Sequence, residues 1–419
     1  MVTTHFDFFK TVVFYEVNVR QYTPEGTFNS FSKELPRLHS MGIDVLWLMP
    51  VHPIGVINRK GNLGSYYAIS NHHEVNPEFG SKTDLKQLIA MAHSLGMKVI
   101  LDWVANHVAC DHVWTQEHPD YLLRNADGSF FSPHGWEDVI QINHQNPWAH
   151  QAMINEMTYW VEEFDIDGFR ADLAHLTPLS FWIAARHHTH QLKSNLIWLA
   201  ESEQEDYFQA FDVLFAWKWM HLTEEFCKGQ HQLNVLSAYL KQQCSVRSKS
   251  YYKLYFTSNH DENSWNGTEF EKYGLYADLF TVLHFFLPFA VPLIYSAQEL
   301  PNEKRLAFFD RDPIDWNKPI QNSSFYQRLI EIRKYIYDLN CPEIETLDNG
   351  LLILKRTAEK RKVWLFLNTG NKEVCYFNYK FHSTFHPKIL IQKVNSLQEK
   401  EGYLLPGDYI MIEEEHDNK

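Results

Sequence analysis

Three short segments of this chain each place a carboxylic acid at the end of an apolar, strand-like run. The acids are Asp172, Glu201 and Asp261, and they end the segments GFRAD, WLAE and FTSNHD. An acid at the end of a buried strand is destabilising unless it is paired, because a charge loses its hydration there. Three such acids, with an arginine and histidines beside them, indicate a site that acts on a covalent bond through carboxylates.

Paired carboxyl groups are what glycoside hydrolysis requires. One carboxylate attacks the sugar or activates a water molecule, and the other carboxyl group protonates the leaving oxygen. A third acid beside the sugar must then have a different task, such as holding hydroxyl groups. Cleavage of a sugar bond is therefore one chemistry that fits this set of residues.

Eight apolar runs in the sequence have the length of β-strands. Most of them are continuous rather than alternating, which is typical of a parallel sheet covered on both faces. Amphipathic helical runs at 32–41, 83–95 and 149–164 lie between several of them. This alternation predicts an α/β fold, a (β/α)8 TIM barrel. The predicted strands are 14–19, 44–49, 98–104, 167–172, 196–202, 213–217, 253–259 and 292–296.

The candidate acids lie where such a barrel carries its catalytic groups, at the carboxyl ends of the strands. Asp172 would end the fourth strand, Glu201 the fifth and Asp261 the seventh. All three would then face one end of the barrel. The third strand would be closed by Asp102, Asn106 and His107.

Two regions depart from the simple alternation of strand and helix. The loop-rich stretch 108–150 is too long for an ordinary connection, and we predict a short inserted subdomain after the third strand. After about Cys341, short strands with turns predict a small antiparallel β domain. The predicted division is barrel 1–107, inserted subdomain 108–150, barrel 151–340 and C-terminal domain 341–419. The C-terminal strands are predicted at 350–356, 362–367, 374–379, 388–391 and 409–413.

Composition excludes several classes of partner. The chain has 419 residues with 38 basic and 52 acidic side chains, and 38 − 52 gives a formal charge of −14. This charge disfavours nucleic acid or an anionic membrane as the main partner. The apolar run 279–297 is divided by Pro288 and Pro292, which predicts a buried helix, a turn and a strand rather than a membrane span.

Cysteine usage and the N-terminus bear on the cell compartment. The five cysteines are an odd number without a C-x-x-C unit, which argues against a disulfide framework or a zinc site. Reduced thiols fit the cytoplasm. Residues 1–10 lack a basic head followed by an apolar core, so we expect a cytoplasmic protein, or a secreted one if a leader has been removed.

Four segments together resemble the signature regions of the α-amylase family of glycoside hydrolases. They are DWVANH at 102–107, GFRAD at 168–172, LAE at 199–201 and NHD at 259–261, and they occur in the family's order. WLMP at 47–50, VNPEFG at 75–80 and PLIY at 292–295 are also similar to that family. The resemblance covers residues 13–320, and the C-terminal region resembles the family's β-sandwich.

The resemblance assigns a role to each of the three acids. Asp172 matches the nucleophile that forms a glycosyl-enzyme intermediate, and Asp261 matches the acid that holds the 2- and 3-hydroxyls. Glu201 matches the general acid/base, whose pKa we expect to be raised by a dry setting and by nearby acids. Arg170 lies on the same strand face as Asp172 and should keep that carboxylate ionised.

The resemblance also names residues that hold the sugar. His107 and His260 match histidines that hydrogen-bond the sugar, and Tyr67 matches the aromatic platform beneath it. Asp102 has two interpretations, contact with the substrate or a supporting pair with Arg170.

Three further side chains keep two interpretations each. His175 stands where many relatives have a lysine facing the leaving sugar, and it either takes that place or has no role. Trp136 and Trp265 either stack on outlying sugars or pack within the protein.

A cofactor is not required by this chemistry, but calcium stays open. Many relatives hold a structural calcium ion beside the third strand, and Asn106 matches one of its ligands. The usual aspartate is replaced in the segment Gln141-Ile142-Asn143. Asp111, Asp138 or backbone carbonyls could supply other oxygen ligands.

The expected function is that of a retaining hydrolase that cleaves α-glucosidic bonds, mainly α-1,4. The expected substrates are starch-derived glucans or malto-oligosaccharides. A glucanotransferase on the same barrel is the first alternative, and a non-catalytic glucan-binding relative is the second. The sequence leaves open chain-length preference, endo or exo action and oligomeric state.

Overall fold

The computed structural model describes residues 5–246, 251–300, 302–359, 361–376, 387–394 and 402–414. The chain forms two compact units. One comprises Val13–Phe215 and Ile294–Gln321, and the other comprises Met1–Val12, Ala216–Leu293 and Asn322–Lys419. The domain boundaries predicted after residues 107, 150 and 340 stay a prediction.

Eight parallel strands close into a barrel, which confirms the predicted (β/α)8 fold. In chain order, the first ten strands are β1 Phe14–Val17, β2 Val45–Leu48, β3 Lys98–Trp103, β4 His107–Ala109, β5 Val139–Gln141, β6 Gly168–Ala171, β7 Ile197–Ala200, β8 Val213–Phe215, β9 Tyr252–Tyr255 and β10 Ala290–Tyr295. The order around the barrel is β1-β10-β9-β8-β7-β6-β3-β2. All residues of β1, β2, β6 and β7 are buried, as the continuous apolar runs predicted.

Gly168 shows how the sequence permits the close approach of two site-bearing strands. It pairs with Ile197 at the start of β6, and its φ is +152°. A Cβ atom on Gly168 would lie 2.0 Å from the carbonyl oxygen of Ile197. Only glycine fits this position, and the pairing register then aligns Arg170 with Leu199.

The three predicted helical runs, 32–41, 83–95 and 149–164, correspond to observed helices, with one difference. The predicted helix 32–41 is two helices, Phe28–Ser32 and Leu35–Met41, because Pro36 is accommodated in the first turn of the second helix but could not continue the first. The helices are α1 His5–Phe8, α2 Val19–Tyr22, α3 Phe28–Ser32, α4 Leu35–Met41, α5 Lys82–Ser94, α6 Trp114–Glu117, α7 Pro147–Phe164, α8 Leu179–His190, α9 Trp217–Cys227, α10 Leu233–Val246, α11 Glu269–Tyr273, α12 Ala277–Phe286 and α13 Ser323–Tyr335.

The segment between β3 and α7 contains a small antiparallel ribbon. Its strands β4 and β5 pair with His107 opposite Gln141 and Ala109 opposite Val139. Short helical turns occupy the rest of this segment, at Trp114–Glu117, Pro119–Tyr121 and Pro133–Gly135. Apart from His107, the first residue of β4, these elements lie between residues 108 and 150, the bounds of the predicted insertion.

The C-terminal region is antiparallel, as predicted. Its strands are β11 Glu343–Thr346, β12 Leu351–Ala358, β13 Arg361–Asn368, β14 Val374–Cys375, β15 Lys388–Lys393, β16 Tyr403–Leu404 and β17 Tyr409–Glu414. Five of them form a sheet in the order β11-β12-β13-β17-β15, and β14 pairs with β16. Val374 and Leu404 from the small sheet share a buried core with Phe366 and Ile412 from the large one.

Two of the C-terminal predictions need comment. The predicted strand 374–379 is confirmed at Val374–Cys375, whereas residues 377–379 lie outside the described residues. Strands β11 and β16 were not predicted. β11 carries exposed glutamates at an edge, and β16 is two residues long, so neither has an apolar run to reveal it.

The apolar run 279–297 has the predicted form of helix, turn and strand, α12 followed by β10. Within the part of the chain that the structure describes, no helix combines the length and hydropathy that crossing a bilayer demands.

Candidate active site

Arg170 contacts three carboxylates at the carboxyl ends of neighbouring strands. One of its guanidinium nitrogens lies 2.8 Å from Asp102 and 3.0 Å from Asp172. A second guanidinium nitrogen, Nη2, lies 2.8 Å from Oε2 of Glu201. The strand register explains this cluster, because Asp102 on β3 is the direct neighbour of Arg170 on β6. One buried cation therefore fixes the positions of three acids.

The charge on Arg170 is held by its surroundings. Its side chain is fully buried. Burial opposes the charged form, but the carboxylates of Asp102 and Glu201 outweigh this effect and raise the pKa of the guanidinium well above its ordinary value. The guanidinium carbon lies 4.9 Å from the ring centre of Trp47 and 5.5 Å from that of Phe215, within the range of cation–π attraction.

Both carboxylate oxygens of Asp102 accept hydrogen bonds from the protein. Its Oδ1 accepts from Arg170, and its Oδ2 accepts from the indole of Trp47 at 3.1 Å and the hydroxyl of Tyr67 at 3.0 Å. The side chain has no exposed surface. These contacts favour the supporting interpretation of Asp102, in which it holds Arg170 and Tyr67.

Asp172 and Glu201 differ from Asp102 in their exposure. The side chains of both are 8% exposed, so both reach the protein surface. Glu201 Oε2 also accepts a hydrogen bond of 2.8 Å from the backbone N–H of Leu173. Leu173 has a φ of +39°, which is unusual for a residue with a side chain. The backbone directly after Asp172 is therefore turned toward Glu201.

His107 and its neighbours lie at the start of β4. The side-chain amide of Asn106 lies 3.2 Å from His107 Nδ1, and since an amide nitrogen donates, Nδ1 accepts. Burial lowers the pKa of His107 to about 4, so the ring is neutral near pH 7. Trp136 lies 5.5 Å from this ring and packs against Ala68 and Ala109, which favours the packing interpretation of that tryptophan.

His175 lies directly beside the cluster. It is in a short 3-10 helix, Ala174–Leu176, and is exposed to solvent. Its Nδ1 is 3.4 Å from the backbone oxygen of Glu201. This position is compatible with contact to a bound sugar beyond Glu201.

Asp261 and His260 belong to the other compact unit. They follow β9 and precede a π-helix, Glu262–Asn266. The side chain of Asp261 is 39% exposed, and its carboxylate lies 3.4 Å from the nearly buried His260 ring. Trp265, on the same π-helix, is 52% exposed. That Asp261 and His260 act with Asp172 and Glu201 stays a prediction.

Glu262 anchors the segment that carries Asp261. Its carboxylate pairs with Lys272 at 2.6 Å, and both side chains are nearly buried. Its backbone N–H donates to the side chain of Asn259 at 2.8 Å. The sequence analysis missed this pair, as it missed the parts played by Trp47, Phe215 and Leu173. An acid next to Asp261 and a lysine ten residues later was the only available signal.

Comparison with known families and proteins shows what this chain is similar to. Residues 11–140 match the family model described as alpha amylase, catalytic domain. Over 193 residues the chain is 34% identical to an alpha-1,4-glucan:maltose-1-phosphate maltosyltransferase of Rhodospirillum rubrum. That alignment covers 40% of this chain and only 28% of the relative.

Solved structures match over nearly the whole chain. An alpha-amylase from Lactobacillus plantarum is 28% identical with a TM-score of 0.86, and the match covers 98% of this chain and 100% of that one. A noncanonic maltogenic alpha-amylase, AmyB, from Thermotoga neapolitana is also 28% identical, with a TM-score of 0.81 and 96% of each chain covered.

Proposed function

Since this chain is a member of the α-amylase family, we propose that it is a retaining glycoside hydrolase that cleaves α-glucosidic bonds, mainly α-1,4. Its substrates are starch-derived glucans or malto-oligosaccharides. The observation that carries the proposal is the contact of Arg170 with both Asp172 and Glu201, at 3.0 and 2.8 Å. A shared guanidinium keeps these carboxyl groups close, as a retaining pair separated by roughly 5–5.5 Å requires.

In the first step Asp172 attacks the anomeric carbon. The bond from that carbon to the glycosidic oxygen breaks, and Glu201 gives its proton to the leaving oxygen. Glu201 Oε2 already faces the N–H of Leu173 and the guanidinium of Arg170. The transferred proton is therefore carried by Oε1. The product of this step is a glycosyl ester of Asp172.

In the second step Glu201 removes a proton from water, and the water oxygen attacks the same carbon. The ester bond to Asp172 breaks, and the sugar leaves with its original anomeric configuration. Asp102 acts through Arg170 and Tyr67 rather than on the sugar. His107, neutral through burial, and His260 hold sugar hydroxyls, and Asp261 holds the 2- and 3-hydroxyls.

The nucleophile assignment is tested by Asp172→Asn. The amide cannot form the ester, so turnover on maltoheptaose should fall by roughly 10³-fold or more. Asp348→Asn, at an exposed position, is the matched control and should keep normal turnover. Release of reducing ends measures activity, and circular dichroism checks the fold. Near-normal turnover of a folded Asp172→Asn protein would refute the assignment.

A transferase is the second candidate, and the similarity to a maltosyltransferase favours it. The glycosyl ester is the same in both reactions, and only the acceptor differs, water or another sugar. Maltose 1-phosphate and maltohexaose supplied together distinguish them. Release of phosphate with growth of the oligosaccharide by two glucose units supports transfer, whereas shortening of maltohexaose alone supports hydrolysis.

A further inference from the structure

The ribbon formed by β4 and β5 meets the end of β3 at the place where the family resemblance implies a calcium ion. Asn106 lies at this junction and is buried. Calcium binds six to eight oxygen atoms at 2.3–2.6 Å. Asn106, Asp111 and Asp138 are the side chains of this region that the sequence nominates as oxygen ligands, and the structure shows what each of them contacts.

Asn106 is engaged by a hydrogen-bond donor rather than left open to a cation. The side-chain nitrogen of Gln141 lies 2.8 Å from Asn106 Oδ1 and 3.0 Å from the backbone oxygen of Asn106. A primary amide has two N–H donors, and these two oxygens accept both. If the amide of Gln141 were turned around, its oxygen would face two acceptors, so the contacts fix its orientation.

The two nominated aspartates are engaged by other donors. Asp138 pairs with the ammonium of Lys60 at 2.8 Å, and its side chain is 5% exposed. Asp111 Oδ2 accepts from the backbone N–H of Val56 at 2.8 Å. Asp111 Oδ1 is buried beside Gly55 and accepts no hydrogen bond from the described residues. One open carboxylate oxygen falls far short of the six to eight oxygen ligands that calcium takes.

The nominated residues therefore do not fit a calcium ion. Each of them contacts at least one donor of the protein itself, namely Gln141, Lys60 or Val56. Among the described residues, no group of three or more acidic, histidine or cysteine side chains is placed to hold a metal ion. The two oxygens of Asn106 face the side-chain nitrogen of Gln141. If they were calcium ligands, they would face the cation instead.

We propose that the side-chain amide of Gln141 takes the place of a calcium ion in joining the inserted ribbon to the end of β3. The amide holds two oxygens of Asn106 as a cation would, and it does so without a charge. Lys60 supplies positive charge to the far end of the ribbon through Asp138. The register of the ribbon, with Gln141 opposite His107, keeps the amide in reach of Asn106.

The first test uses the wild-type protein and thermal unfolding, which does not depend on the proposed activity. The protein is dialysed against a chelator, and its unfolding midpoint is measured before and after addition of millimolar calcium. We expect the two midpoints to agree within about 1 °C, whereas we would expect an ion that binds only the folded state to raise the midpoint by several degrees. A clear rise on calcium addition would overturn the proposal.

The second test replaces the amide by a carboxylate of the same shape. Gln141→Glu places a negative oxygen against two acceptor oxygens, and we expect its midpoint in chelator to fall by roughly 3–6 °C. Gln151→Glu, on the exposed surface of α7, makes the same change of charge and should keep the wild-type midpoint. A Gln141→Glu protein with the wild-type midpoint in chelator would show that the amide does not hold the ribbon to the end of β3.

A third variant separates loss of contacts from replacement of a cation. Gln141→Ala removes both hydrogen bonds but brings no carboxylate, so calcium should not raise its midpoint. Calcium should raise the midpoint of Gln141→Glu, because the new carboxylate and the two Asn106 oxygens together attract a cation. An equal response of the two variants to calcium would contradict the idea that the amide nitrogen occupies a cation position.

Discussion

Arg170 is the residue that holds the three acids of the candidate site together. It joins a buried acid, Asp102, to two acids that reach the surface, Asp172 and Glu201. The two-residue spacing of Arg170 and Asp172 is enough to predict that both lie on one strand face. The contact with Glu201 could not be predicted in the same way, because it depends on the register of β6 against β7 and on the unusual backbone of Leu173.

Arg170→Lys tests this dependence. Lysine keeps the charge but offers a single ammonium on a flexible stem, which cannot contact all three carboxylates. We expect kcat to fall by about 10²-fold, the effect of misplacing reacting groups by an ångström. Initial rates on maltoheptaose give the measurement. Arg186→Lys, at another arginine–aspartate pair of the same unit, is the control and should keep normal rates. Equal rates for both variants would contradict the account.

At the scale of elements, the apolar runs located all eight barrel strands to within a few residues. The ends of the helices were less predictable, as the division at Pro36 shows. Contacts between distant elements left little trace in the sequence. Lys272 on α11 pairs with Glu262 in the π-helix. Three buried histidines, His52, His72 and His112, contact one another or the backbone near the end of β3. Neither group belongs to a periodic pattern, so only the folded chain reveals them.

Lys272→Met tests the pair beside Asp261. Methionine fills a similar volume but leaves the buried carboxylate of Glu262 without a counter-charge. The free energy of unfolding in urea should fall by roughly 3–5 kcal/mol. Adding Glu262→Gln to that variant removes the buried charge and should restore most of the loss. A double variant no more stable than the single one would show that the pair does not hold this segment.

The buried histidines give the folded state a predicted dependence on pH. His72 Nε2 donates to the carbonyl of Val104 at 3.0 Å, and its Nδ1 accepts from His112 Nε2 at 3.1 Å. Burial lowers the pKa of His72 to about 4, and it lowers the pKa values of His52 and His112 well below the ordinary range. The unfolded chain binds protons that the folded chain does not. Stability is therefore complete above about pH 6.5 and falls toward pH 4.

His52→Asn measures one part of this effect. Asparagine can still donate to the carbonyl of Glu74, which His52 contacts at 3.2 Å, but it does not titrate. The loss of unfolding free energy between pH 6.5 and 4.5 should be smaller in this variant, by up to about 1.4 kcal/mol per pH unit. His188→Asn, at an exposed site, should keep the wild-type slope. Identical slopes for all three proteins would refute the prediction.

At the scale of the whole molecule, the sequence predicted a barrel, an insertion and an antiparallel C-terminal domain. The match to solved amylases over 98% of the chain agrees with that organisation. The fold alone does not decide between water and sugar as the acceptor, because both reactions use the same pair of carboxyl groups. The proposed roles of Asp172 and Glu201 predict the stereochemistry in either case, since two displacements at one carbon restore its configuration.

The stereochemistry of the first product tests this central claim most directly. Proton NMR recorded during the first minutes of maltoheptaose cleavage distinguishes the α- from the β-anomer of the new reducing end before mutarotation mixes them. The α-anomer should appear first, with the β-anomer growing only later. Initial release of the β-anomer would mean a single displacement, and it would contradict the assignment of Asp172 as a nucleophile.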